Sequence, residues 1–278
     1  MYSSFSGKPP VIHKEQEIMR AILPEVRDLS WLHTQPVTDR FIEVIGTRIR
    51  FIEAGLDHAG PPLLMLHGHR DEADHWFPNP LPALAGEHRV IAPDLPGFGL
   101  SGEMPEYGLP QYAAVMQAFL DALRVERANL LGHSMGAQVA IVMAARRPER
   151  INKLVLVDSA GLPRLDPPWQ VPLKMLADSS TWSLRQYPLH MRFGARPAAR
   201  REGLHILQKE RVGNYLKSLT MPTLIVWGSR DRVVPLEHGA LMARHIPHAR
   251  LAVIRAAGHV PFYQKPDEFN RLVLTFLR

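Results

Sequence analysis

The 278-residue chain contains no cysteine. Disulfides, thiolate nucleophiles, cysteine-ligated zinc and iron–sulfur clusters are therefore excluded from its chemistry. Long apolar runs are also missing. None approaches the ~20 residues that cross a bilayer, so stable membrane insertion is not expected. The first residues lack a basic segment followed by an apolar core, so no secretory leader is read there and a cytoplasmic location is expected. Residues 14–27 carry Ile18, Ile22 and Val26 at helical spacing, which predicts a short amphipathic helix. Its polar face mixes Lys14, Arg20 and Arg27 with Glu15, Glu17 and Glu25, which suits packing on the main domain better than a basic membrane-facing surface.

Aromatic residues are few, at 8%, but 46% of the chain is hydrophobic and 22% is charged, so the composition is globular and supports one large core. The net charge of +6 raises nucleic-acid binding as a question. Its distribution argues against that. Residues 163–219 hold ten Lys and Arg against four Asp and Glu, and the rest of the chain balances. The basic excess belongs to one segment, where solvated helix faces are the default and attraction of anionic substrates or a lipid surface is the alternative.

Residues 40–54 alternate apolar and polar on both sides of Gly46-Thr47, which predicts an antiparallel hairpin. Six short apolar runs follow: Leu63–Leu66, Val90–Ala92, Asn129–Leu131, Leu154–Val157, Thr223–Val226 and Leu251–Ile254. Such runs suit strands buried on both faces of a parallel sheet. Helical stretches lie between them, at Tyr112–Leu123, Ala137–Arg147, Leu236–His245 and Asp267–Leu277. The alternation predicts an α/β protein built from crossover units. The rhythm breaks once, between Val157 and Thr223, where the gap predicts an inserted helical cap. The expected organisation is an N-terminal helical extension (1–38), a first core segment (39–162), the cap (163–219) and a second core segment (220–278).

The motif with most chemical content is Gly132-His133-Ser134-Met135-Gly136, between the apolar run at 129–131 and the helical stretch from Ala137. A serine exposed on a tight strand–turn–helix junction needs a strained backbone, and glycine two residues on either side avoids collision there. The helix behind the turn offers N–H groups and partial positive charge to developing anionic oxygen.

In this setting the segment resembles the α/β-hydrolase superfamily, in its serine carboxylesterase- or lipase-like branch with a cap. The resemblance implies a mostly parallel sheet of about eight strands, flanked by helices, with the cap inserted after the sixth. It implies Ser134 as nucleophile, Asp231 after the run at 223–228 as acid, and His259 after the run at 251–254 as base, in the family's chain order. Asp158 is the rival acid, since some members carry the acid one strand earlier. Met135 and His69, the latter in the His67-Gly68-His69 loop, are the implied oxyanion donors.

Two other patterns offer competing readings. His67-x-His69-x-Asp71 with nearby His75 approaches a zinc motif of metal-dependent hydrolases, but leaves the serine junction, Asp231 and His259 unexplained. Gly97-Phe-Gly99-Leu-Ser-Gly102 matches a dinucleotide fingerprint but is followed by loop residues instead of a helix. The string from Asp94 to Ser101 is similar to a loop of α/β-hydrolases, with glycines as turn formers and Asp94 structural. No cofactor or metal is called for.

The expected activity is hydrolysis of a small-molecule ester with an apolar acyl part, through an acyl-enzyme. Haloalkane and epoxide chemistry is disfavoured because the family's enzymes for it use Asp in place of Ser134. Meta-cleavage C–C hydrolysis is set low because His67-Gly-His-Arg-Asp-Glu replaces a glycine-rich H-G-x-G-P-G stretch. Lactonase, acyltransferase and C–C hydrolase activities on the same triad remain alternatives. So does a non-catalytic ligand-binding relative, from another functional class.

Overall fold

The computed structural model describes residues 37–77, 79–163 and 197–278. The expected N-terminal helix at 14–27 lies outside them, as do Trp169, Met175, Trp182, Tyr187, Met191 and Phe193 of the expected cap. Eight strands of the described residues form one sheet: β1 (Thr38–Val44), β2 (Thr47–Ala54), β3 (Leu63–Leu66), β4 (Val90–Pro93), β5 (Ala128–His133), β6 (Ile151–Val157), β7 (Thr223–Gly228) and β8 (Ala249–Ile254). Their order is β1-β2-β4-β3-β5-β6-β7-β8. The first two pairings, β1 with β2 and β2 with β4, are antiparallel. All others are parallel. The predicted hairpin closes at Ile45-Gly46, with φ of 48° and 72°, a pair of positive values that matches the strands' twist.

The short apolar runs are strands because both faces are covered. Every residue of β3, β4, β5 and β7 is buried. The main helices are α1 (Leu81–Ala85), α2 (Leu109–Ala122), α3 (Met135–Arg146), α4 (Pro197–Lys209), α5 (Leu236–His245), α6 (Pro261–Gln264) and α7 (Pro266–Leu277). One apolar layer joins the sheet to α2, α3 and α5 and contains Phe51, Phe119, Ile141 and Trp227. The other joins it to α1 and α7 and contains Trp76, Phe77, Phe262 and Phe269. The long connection from β6 to β7 contributes α4, whose Ala199 and Ile206 are buried in the first layer. Glu210, just after α4, accepts the Leu109 N–H at the start of α2 at 3.0 Å.

Among the described residues, periodicity does not reveal the shortest elements, which are α1, α6 and 3-10 turns at Ala73–Trp76, Pro148–Arg150 and Gly213–Ser218. All are six residues or fewer, too short to show a helical period.

One buried charge cluster fastens the loops at one end of the sheet. Arg50 on β2 is fully buried and holds Asp39 at 2.8 Å, Asp74 at 2.6 Å and Asp94 at 3.4 Å. Burial opposes its charge, but the hydrogen bond to Asp39 and the charges of Asp74 and Asp94 hold its pKa above the usual value. Asp94 also accepts the N–H groups of Ala73 at 2.6 Å and Leu100 at 2.8 Å. Ser101 accepts the Arg50 N–H and donates to the Asp94 carbonyl. The glycine-rich loop is therefore a turn wrapped around Asp94, and no helix opens at it. A methyl group on Gly99 would sit 2.3 Å from the Asp94 carboxylate.

Arg50→Met should destabilise the fold by about 3–5 kcal/mol, because it leaves buried carboxylates without their cation. Urea unfolding at neutral pH measures this, and a loss below about 1 kcal/mol would show that the cluster acts only as an exposed ion pair would.

Candidate active site

Ser134 joins β5 to α3 with φ 52° and ψ −112°. A non-glycine residue at such angles costs roughly 1–3 kcal/mol and persists only where its surroundings enforce it. They do so here. The Ser134 N–H donates to Val157 O of neighbouring β6 at 3.0 Å, and the Ser134 carbonyl accepts the Ala160 N–H at 3.3 Å. A methyl group on Gly132 would lie 2.5 Å from Gly136 O, and one on Gly136 would lie 2.2 Å from Leu66 O. Glycine at both positions is a packing requirement of the junction.

Asp231 sits in the turn after β7. Its Oδ1 accepts the N–H groups of Val233 and Val234 at 2.7 and 2.9 Å, leaving Oδ2 facing the loop after β8. There His259 presents Nδ1 at 2.8 Å. The two loops touch closely, since a methyl group on Gly228 would be 2.0 Å from Gly258 O. The carboxylate can only accept, so Nδ1 carries the proton and the Nε2 lone pair faces Ser134 Oγ at 3.1 Å. The Asp231 side chain is fully buried and that of His259 is 12% exposed, so the pair sits at the protein–solvent boundary. The three residues named from motif and chain order thus form one hydrogen-bonded chain. Asp158, the rival acid, instead accepts the Gly228 N–H at 2.9 Å and has φ 43°.

Met135 is the first residue of α3, where a helix leaves its N–H groups without intrahelical partners. His69 follows β3, beside that helix. A methyl group on Gly203 of α4 would lie 2.5 Å from His69 Nδ1 and 3.5 Å from Met135 Sδ, so both side chains meet α4. The described part of the β6–β7 connection therefore covers the loop after β3.

His67 anchors that loop. The Leu95 N–H donates to its Nε2 at 2.8 Å, so the ring's proton is on Nδ1, which donates to Gly68 O at 2.8 Å. Both nitrogens are engaged, and the H-x-H-x-D zinc arrangement considered from sequence does not assemble. A different group does converge: Asp71, His75 and His133. His133 is turned from Ser134 toward the last loop, where its Nε2–H donates to His259 O at 2.8 Å. Burial pushes Asp71 up to about 7, against the pull of His259 and Arg70. Burial, with Asp74 and Asp94 nearby, pushes Glu72 up to about 9. The only sequence signal for this group was the four-residue spacing of Asp71 and His75, and nothing in it pointed to His133.

This fold and this hydrogen-bonded chain are those of α/β hydrolases. The chain belongs to the alpha/beta hydrolase family, whose sequence model matches residues 63–272. It is 33% identical over 261 residues to the dihydrolipoyllysine-residue acetyltransferase component of an acetoin cleaving system from Pseudomonas putida, covering 85% of this chain and 68% of that one. It is 33% identical over 264 residues to 2-hydroxy-6-oxo-6-phenylhexa-2,4-dienoate hydrolase from Comamonas testosteroni, covering 83% and 91%. A solved meta-cleavage product hydrolase from Pseudomonas fluorescens superposes with a TM-score of 0.74 at 25% identity, covering 86% and 97%. These matches correct one expectation. The missing glycine-rich stretch after His67 does not separate this chain from the meta-cleavage hydrolases. A motif over six residues weighs less than similarity along most of the chain.

Among the described residues, no helix is long and apolar enough to cross a membrane.

His67 generates a pH prediction. Burial lowers its pKa from 6.5 to about 4, so the folded chain keeps it neutral while the unfolded chain protonates near 6.5. Stability from this group is intact above pH 6.5 and declines as pH falls toward 4, by up to about 3 kcal/mol. Urea midpoints measured from pH 7 to 4 should fall more steeply for wild type than for His67→Asn. Parallel curves would show that His67 does not carry the effect.

Proposed function

We propose that this chain is a serine hydrolase of small carbonyl compounds, with Ser134 as nucleophile, His259 as general base and acid, and Asp231 holding His259 in its reactive tautomer. The observation that supports this most is the chain Ser134 Oγ–His259 Nε2–His259 Nδ1–Asp231 Oδ2, with steps of 3.1 and 2.8 Å. Nε2 accepts the serine proton as Oγ attacks the carbonyl carbon, and Asp231 stabilises the imidazolium that forms. The N–H groups of His69 and Met135 are the proposed donors to the oxyanion. Imidazolium then protonates the leaving group, and an acyl-enzyme remains. Water, deprotonated by His259, releases the acid in a second pass through the same oxyanion.

The substrate class proposed first is a carboxylic ester with an apolar acyl part. The leaving alkoxide needs only the proton that His259 already carries. The connection from β6 to β7, residues 163–219 in this reading, acts as the cap over the acyl pocket. A second reading is favoured by the relatives. At 33% identity over 83% of the chain, one of them is a hydrolase of a 6-oxo-dienoate. Attack at that ketone gives the same acyl-enzyme, but the leaving atom is carbon and must be protonated there.

The two readings separate in one set of assays. Wild type and Ser134→Ala are compared on p-nitrophenyl esters from acetate to palmitate and on 2-hydroxy-6-oxo-6-phenylhexa-2,4-dienoate. Turnover of esters alone supports the first reading, and turnover of the dienoate with a higher kcat/KM supports the second. In either case Ser134→Ala should lower kcat by about 10⁴-fold or more, with the fold intact by circular dichroism. A loss of less than about tenfold would remove Ser134 from the mechanism.

Asp231→Asn should also lower kcat, by about 10⁴-fold, because the amide favours the wrong histidine tautomer. A pH–rate profile on the better substrate checks it. Unchanged kcat at neutral pH would shift the role of acid to Asp158.

A further inference from the structure

We propose that Asp71, His75 and His133 form a binding site for one divalent transition-metal ion of the zinc class, separate from Ser134, Asp231 and the His259 side chain. Two stretches far apart in sequence supply it: the loop after β3 with the 3-10 turn at Ala73–Trp76 that follows it, and the last residue of β5. Each residue offers one ligand atom, and the three atoms lie within 4.8 Å of one another. His75 Nδ1 is 3.4 Å from Asp71 Oδ1. That is the ligand–ligand spacing of a tetrahedral ion with bonds of about 2.1 Å.

His133 is the residue that points to an ion. It is 2% exposed, and its Nδ1 has no hydrogen-bond partner among the described residues. Because Nε2–H donates to His259 O, Nδ1 carries the lone pair. A buried acceptor left without a donor costs about 1–3 kcal/mol, a cost that a bound cation removes. The lone pair and the Asp71 carboxylate border one spot. A methyl group on Gly68 would be 3.0 Å from His133 Nδ1 and 2.9 Å from Asp71 Oδ2, so glycine there keeps the spot open. Metal-bound imidazoles usually give their other N–H to a carbonyl or carboxylate, which fixes the ring and raises its basicity. The bond from His133 to the His259 carbonyl already has this form.

The surroundings suit the same ligand. The His75 ring makes edge contacts with Phe262 and Tyr263, at centroid distances of 5.1 and 5.2 Å. The Tyr263 hydroxyl bonds the carbonyl oxygens of His75 and Phe77, which holds the turn in place. An apolar shell of this kind strengthens coordination by lowering the local dielectric. Two imidazoles and one carboxylate match zinc, cobalt or nickel, whereas calcium and magnesium prefer all-oxygen sets. Asp71 is 19% exposed, so an ion can enter from its side and keep a water as fourth ligand. Once bound, it would tie the β3 loop to the serine junction, and through His133 to the backbone of His259.

The test uses the full chain, stripped with a chelator and desalted. Zinc is titrated against a chromophoric competitor, and cobalt alone is followed by its visible d–d absorption. Wild type should bind one equivalent, with a cobalt spectrum of tetrahedral or five-coordinate type. Asp71→Asn and His75→Gln, checked for folding by circular dichroism, should each weaken zinc binding by about 100-fold or more. Absence of binding by wild type at 100-micromolar-order zinc, or an equivalent that persists in both variants, would overturn the proposal. Asp158, Asp231 and His259 also bring ligand atoms together, so persistence would place the ion there. Anomalous scattering from zinc-soaked wild-type crystals needs no variant. A peak between Asp71, His75 and His133 supports the site, and a peak elsewhere or none overturns it.

Discussion

The backbone of Ser134 is the constraint on which the rest of this molecule depends. An ordinary residue held at φ 52° between a central strand and a helix is unfavourable by itself. It survives because β5 is flanked on both sides, by β3 and β6. It also survives because Gly132 and Gly136 let the strand end, the helix start and Leu66 approach to distances no side chain allows. That close approach aligns Ser134 with the loop after β3, where the proposed oxyanion donor His69 lies. The same sheet order sets the loops after β7 and β8 side by side, so Asp231 and His259 face each other and then the serine.

A second layer of constraints holds the loops still. Asp94 and Arg50 fasten the loop after β4 to the turn at Ala73–Trp76. His67 fastens the loop after β3 to Leu95. These contacts involve no reacting atom in the proposed mechanism. They matter because a hydrogen-bonded chain with steps of about 3 Å loses function with displacements of about 1 Å. Neutral His67 and charged Arg50 are opposite solutions to burial. The imidazole gives up its charge and keeps two hydrogen bonds, while the guanidinium keeps its charge because carboxylates surround it.

The family is wider than any one reaction. Its members among the relatives include the acetyltransferase component of an acetoin cleaving system and a 2-hydroxy-6-oxo-6-phenylhexa-2,4-dienoate hydrolase. Nucleophilic attack on a carbonyl is common to an ester and to a ketone beside a breaking C–C bond. What differs is the atom that leaves and must be protonated. The six-residue pattern after His67 is therefore a weak basis for ranking the C–C branch below the ester reading.

Much of this was legible in the sequence for a local reason. Strands buried on both faces appear as unbroken apolar runs, and the hairpin, six strand cores and four long helices follow directly from periodicity. The serine junction is legible because its strain demands glycine at fixed offsets. Asp231 and His259 were located by chain order, yet order alone left Asp158 in contention. Only the tertiary structure directed His259 Nδ1 to Asp231 and assigned Asp158 to the Gly228 N–H. It alone brought His133 to Asp71 and His75, residues separated by some sixty positions and joined by no repeat or spacing rule. Sequence determines what each segment must bury and where the backbone must bend. Which side chains then meet is set by strand order and packing, because contacts between distant segments leave no periodic trace in the chain.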